Sequence, residues 1–159
     1  MSLHRFLRYT LLGLVAFIAL AAEPTPQPRA KEEVKVCVLA VLATDQNNKI
    51  DKRVECIAKE VQKKEPTLTG FRMATTNCKP LTAGARESFP LVEGEVASVL
   101  VEGKCKGDRV RLTVKAPLMG EITYSTTCGK YFPIVTRYQT KDRDRLIIAV
   151  MVKPECKGK

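Results

Sequence analysis

Six cysteines constrain this chain more than any other feature: Cys37, Cys56, Cys78, Cys105, Cys128 and Cys156, with no C-x-x-C spacing among them. Without that spacing, a zinc ribbon, a thioredoxin-type dithiol and a haem attachment site all lack their signature. An even count fits a disulfide framework, provided the chain reaches an oxidising compartment. The amino terminus supplies that route. His4, Arg5 and Arg8 make a positive start, residues 9–20 are apolar apart from Thr10 and Gly13, and Ala19-Leu20-Ala21 is a small-x-small cleavage pattern. The apolar run falls short of the about 20 residues that span a bilayer, so no stable membrane insertion is expected after cleavage.

The expected organisation is a signal peptide over 1–21, an extended leader over 22–33 carrying Pro24, Pro26 and Pro28, one disulfide-bonded domain over 34–156, and a tail over 157–159. The destination is periplasmic or extracellular. Cleavage removes two arginines, which lowers Lys+Arg from 27 to 25 against 17 acids and the net charge from +10 to +8. It also removes His4, the only histidine. A mature chain without imidazole cannot build a Ser-His-Asp triad, a Cys-His nucleophile or a His-ligated zinc. No G-x-x-x-x-G-K-[ST] or G-x-G-x-x-G motif offers a phosphate cradle. Asp45, Asn47 and Asn48 lack the bidentate acid that a calcium loop needs. No catalytic residue, metal ligand or cofactor follows from the sequence.

Residues 34–43 are a nearly continuous valine-rich run, which reads as a central strand buried on both faces. Asp51 is placed to cap a helix over 52–64, where Val54, Ile57, Ala58 and Val61 form one apolar stripe. Pro66 ends it, and residues 71–77 read as a second strand. Strand, helix and strand together predict a right-handed crossover with parallel strands. Strands then follow at 88–92, 95–102, 109–115, 121–127, 131–139 and 145–152, with Pro133 marking an edge or a bulge. The alternation of Val110, Leu112 and Val114 with Arg111, Thr113 and Lys115 puts one face on a core. The fold class is α+β: one helix packed on a largely antiparallel sheet, with the crossover followed by a strand meander.

Topology then suggests cysteine partners. A final hairpin centred on Asp142 sets Cys128 opposite Cys156. The crossover brings Cys56 near Cys78, and Cys37 with Cys105 remains by elimination.

Basic residues gather at two hairpin tips, Lys104, Lys106, Arg109 and Arg111 at one and Arg137, Lys141, Arg143 and Arg145 at the other. They offer contacts to an anionic envelope polymer or an envelope protein, although such charges also keep turns soluble. Tyr124, Tyr131, Phe132 and Tyr138 lie nearby, but export argues against nucleic acid as the partner, and cross-strand packing accounts for the rings. Function therefore reads as non-enzymatic binding or scaffolding in the cell envelope. The alternative is a histidine-free hydrolase of envelope glycans using Glu93 with Glu95, or Asp108 with Glu121. A third reading, a secreted inhibitor, requires a loop with a protruding apolar tip.

The stretches LATDQNNKID, EVQKKEPTLTGFR, PLMGEITYSTTCGKYFPIVTRYQTK and RLIIAVMVKPEC resemble small exported proteins of planctomycete-type bacteria across residues 34–156. The resemblance implies one exported domain and carries over no site residue.

Overall fold

A computed structural model describes residues 33–104 and 107–153. The expected signal peptide and Pro-rich leader lie outside the described residues apart from Glu33, as does the expected tail. Eight strands and one helix follow in the order β1 (Glu33–Thr44), α1 (Glu55–Gln62), β2 (Gly70–Thr82), β3 (Arg86–Pro90), β4 (Val96–Lys104), β5 (Arg109–Lys115), β6 (Glu121–Thr127), β7 (Phe132–Gln139) and β8 (Arg145–Lys153). They form two four-stranded sheets ordered β2-β1-β8-β7 and β3-β4-β5-β6. Every strand pairing within these sheets is antiparallel.

Strand β1 explains the layering. Its even residues Val34, Val36, Val38, Ala40 and Leu42 face the second sheet, where they meet Phe89, Val99, Val101, Val110, Leu112 and Val114. Its odd residues Leu39, Val41 and Ala43 face the other way and are covered by Val54, Ile57, Ala58 and Val61. Side chains alternate at period two, so a strand buried on both faces must be apolar throughout, as this run is from Val36 to Ala43, while Lys35 near its start is exposed. The result is three layers: helix, sheet, sheet.

The cap expected of Asp51 is formed, but on a 3-10 turn, and α1 itself spans Glu55–Gln62 where 52–64 is expected. Asp51 Oδ1 accepts from the Arg53 amide at 3.0 Å, capping a short 3-10 turn (Lys52–Val54) that runs into α1. Hydrogen bonding from the Arg53 side chain, more than any other cause, holds the Asp51 carboxyl down at about 2.

The expected crossover is not formed. Thr69 donates its amide to the Thr44 carbonyl at 2.9 Å, so the chain re-enters the sheet at the end where β1 left it. Strand β2 then pairs antiparallel with β1, from Thr44↔Gly70 to Glu33↔Thr82. Length decides this: a 12-residue strand is about 36 Å long at 3.3 Å per residue, whereas an 8-residue helix returns only about 12 Å. Gly70 allows the tight re-entry, since a Cβ there would stand 2.8 Å from the Asn47 carbonyl oxygen.

Antiparallel pairing also corrects two cysteine partners. Cys37 and Cys78 are direct neighbours in the β1–β2 ladder and form a disulfide. The expected Cys56–Cys78 and Cys37–Cys105 pairs are therefore not formed, because both depended on the parallel crossover. Among the described residues, Cys56 and Cys128 have no disulfide partner. Cys105 and Cys156 lie outside the described residues, and with them the expected Cys128–Cys156 pair. The register behind that pair holds at Gln139↔Arg145 but moves by two residues by Val135↔Ile147. Thr136 causes the slip: its hydroxyl donates to the Leu146 carbonyl at 2.7 Å and accepts from the Tyr138 amide at 3.1 Å, replacing ladder bonds by side-chain ones.

Candidate functional site

The two basic tips lie at opposite ends of the sandwich. Cys128 donates its amide to the Asp108 carbonyl at 2.9 Å, and Gly129 to the Val152 carbonyl at 2.7 Å. The turn before Arg109 is thus beside the end of β8. Arg143 and Arg145 stand at its start, about 25 Å away along nine residues. Two of the charges are answered. Arg111 pairs with Glu102 at 2.8 Å, and Arg145 reaches Glu65 at 3.5 Å. Arg109, Arg137 and Lys141 are exposed, and exposed Arg143 adopts a left-handed φ of 67° in the β7–β8 turn. Lys104 closes β4, while Lys106 lies outside the described residues. No continuous basic surface joins the two sets among the described residues.

Asp108 and Glu121, one of the two expected carboxylate pairs, are held apart. The ladder of β5 and β6 runs from Arg109↔Thr127 to Lys115↔Glu121, so Asp108 and Glu121 are at opposite ends of that hairpin. Glu93 is a clasp. Its Oε2 accepts from the Tyr138 hydroxyl at 2.6 Å and its Oε1 from the Lys141 amide at 3.1 Å. Both oxygens tie the β3–β4 turn to the β7–β8 hairpin, across the two sheets. Glu93 has a left-handed φ of 52°, which these bonds help to hold. The Tyr138 hydrogen bond is the main cause that lowers the Glu93 carboxyl below its ordinary range, and the same bond pushes the Tyr138 phenol up to about 12.

The aromatic residues mostly pack. Tyr124 of β6 and Phe132 of β7 stack with ring centroids 3.9 Å apart, closing the gap between the edges of the two sheets. Burial pushes the Tyr124 phenol well up, and its hydroxyl has no hydrogen-bond partner among the described residues.

A concavity lies elsewhere, between α1 and the edge strand β7. It encloses about 660 Å³. Ile57 and Val61 form the helix wall, and Tyr131, Pro133 and Val135 the strand wall. The rim carries Arg53, Lys64 and Lys130, with Glu60 the only acid on it. Glu60 is bound to Lys63 at 2.6 Å and Arg53 is bound to Asp51. Lys64 and Lys130 make no ion pair among the described residues. The floor is apolar and the rim positive, which suits an apolar group bearing negative charge. Exposed Cys56 sits on the same rim.

Sequence reasoning assigned Ile57 and Val61 to the core and the aromatic residues to cross-strand packing, and so missed this groove. One available signal was Pro133, which marks a strand with a free outer edge. A smaller cleft of about 400 Å³ lies at the far end of β1, where the Arg72–Asp144 ion pair at 2.7 Å occupies its mouth. No group of three or more metal-ligating side chains occurs among the described residues. No described helix is long and apolar enough to cross a membrane. The Cys37–Cys78 disulfide and the absence of such a helix are compatible with an exported protein.

No protein-family profile, no curated protein and no solved structure matches the chain.

Proposed function

We propose that the mature chain is a non-enzymatic binding domain of the cell envelope, and that the groove between α1 and β7 is its binding site. One observation carries this reading: a groove of about 660 Å³ with an apolar floor, on whose rim Lys64 and Lys130 make no ion pair among the described residues while the one acid, Glu60, is already paired. The separation of Asp108 from Glu121, and the hydrogen bonds that engage both Glu93 oxygens, support binding over the hydrolase alternative. The +8 charge of the mature chain favours an anionic envelope component, with the groove supplying the selectivity that dispersed surface charge lacks.

The test is capture from a native envelope fraction by the mature protein and by a Lys64→Glu/Lys130→Glu variant. Both lysines are exposed, so the fold should be unaffected. The wild-type protein should retain a component that the variant releases at moderate salt. Equal retention by both would remove the groove from the account, and no retention by either would remove binding itself.

A further inference from the structure

We propose that the groove takes an extended, acidic peptide segment, which pairs with the outer edge of β7 and adds a fifth strand to the first sheet. This rests on the groove being the binding site and specifies what enters it. Strand β7 ends the order β2-β1-β8-β7, so its outer main-chain groups have no neighbouring strand among the described residues.

Which groups face outward follows from β8. The Val152 carbonyl accepts from the Gly129 amide and the Leu146 carbonyl from the Thr136 hydroxyl, each at 2.7 Å. Even residues of β8 therefore turn their polar groups toward β7. Their partners in the ladder are Phe132, opposite Val150, and Ile134, opposite Ile148. By antiparallel alternation, Pro133 and Val135 turn their main chain away from β8, toward open space. Pro133, which has no N–H, sits where the β8 ladder requires none. The Val135 amide and the carbonyls of Pro133 and Val135 are left to bond an incoming strand.

That edge is also the strand wall of the groove. Alternate side chains of a strand laid beside β7 would point toward Ile57 and Val61 of the helix. This is strand addition: main-chain bonds supply affinity and side-chain subsites supply selection. Charge selects the sequence. Arg53, Lys64 and Lys130 on the rim favour a segment whose groove-facing positions are apolar at the centre and acidic toward both ends.

The probe is a fluorescent synthetic peptide of about ten residues, a usual strand length, with valine at the central groove-facing positions, glutamate at the outer ones and threonine on the other face. Its anisotropy is measured against the mature protein. Binding should weaken as salt rises, be absent when lysine replaces glutamate, and fall roughly tenfold with Lys64→Glu/Lys130→Glu. Backbone N-methylation of the peptide gives the decisive pattern. Methyl groups at alternate positions of one parity should each cost up to about tenfold, and those of the other parity nothing, because only every second amide faces β7.

Losses independent of parity would overturn strand addition, as would a dimer of this chain that the peptide fails to dissociate. Anilinonaphthalene sulfonate, an apolar anion, separates the two readings. If it binds the protein and is lost in the double variant while no peptide binds, the strand proposal fails and the groove reading stands. If neither binds, both fail.

Discussion

Removing the Cys37–Cys78 bridge should cost stability without changing the fold. The bond joins residues 41 apart in sequence, and the loop it closes holds the capping turn, α1 and the re-entry at Gly70. Closing a loop of that length removes about 13 cal/mol/K of entropy from the unfolded chain, or about 4 kcal/mol at 25 °C. The native ladder holds Cys37 opposite Cys78 with the bond or without it, so the loss falls on the unfolded state. For a domain of this size it corresponds to a fall in melting temperature of roughly 15 °C.

The assay is denaturant unfolding of Cys37→Ala/Cys78→Ala beside the wild-type protein and Cys56→Ala. Alanine avoids leaving an unpaired hydroxyl at Cys37, which is only 1% exposed. The double variant should lose about 4 kcal/mol and show a steeper denaturant dependence, because its unfolded chain expands further. Cys56→Ala, on the exposed side of α1, should change little. A loss below about 1 kcal/mol in the double variant would refute the entropic argument. A large loss in Cys56→Ala would instead support a Cys56–Cys78 bridge, and with it the parallel crossover.

Leu118 and the Glu93 clasp give two further predictions. Leu118 has a φ of 55° and is 70% exposed at the tip of the β5–β6 hairpin, so Leu118→Gly should stabilise the protein by up to about 1 kcal/mol in thermal unfolding; a destabilisation would mean that the side chain makes contacts this structure lacks. The Glu93 carboxyl is lowered from 4.5, so its stabilising effect is fully present above that value and is lost as pH falls through the lower folded-state value. The Tyr138 phenol is raised from 10.0 to about 12, so its share is present below pH 10 and is lost as pH rises toward 12. Glu93→Gln should flatten both limbs of the pH–stability profile, and a profile unchanged from wild type would remove the clasp from the account.

Much of the fold is legible in the sequence because its signals are local. The two-sided burial of β1 follows from the apolar run Val36–Ala43, the burial of Val110, Leu112 and Val114 of β5 from their alternation, and the turn into the helix from Asp51; Thr113, expected outward, is instead buried with Glu102 and Thr123 as partners. What the sequence hides is non-local. Nothing near residue 62 announces that α1 ends there, and this short helix turns an expected parallel return into an antiparallel one. Thr136 gives no sign of inserting into the ladder, yet it moves the β7–β8 register by two residues. The division of the strands into two sheets is equally silent, because Val110 and Leu112 read alike in one sheet or two. The groove is hidden for the same reason. Ile57 and Val61 carry an ordinary core pattern, and only the edge position of β7, foreshadowed by Pro133, leaves a cleft beside them.

Binding at the groove and binding at the basic hairpin tips differ in which amides respond. Amide chemical shifts of isotope-labelled protein spanning residues 22–159 are followed during titration with the valine–glutamate peptide or with anilinonaphthalene sulfonate. Entry at the groove should concentrate the shifts at residues 53–64 and 129–135 and leave Arg109, Arg111 and Arg143 unmoved. Shifts centred on those arginines, or none at saturating ligand, would contradict it.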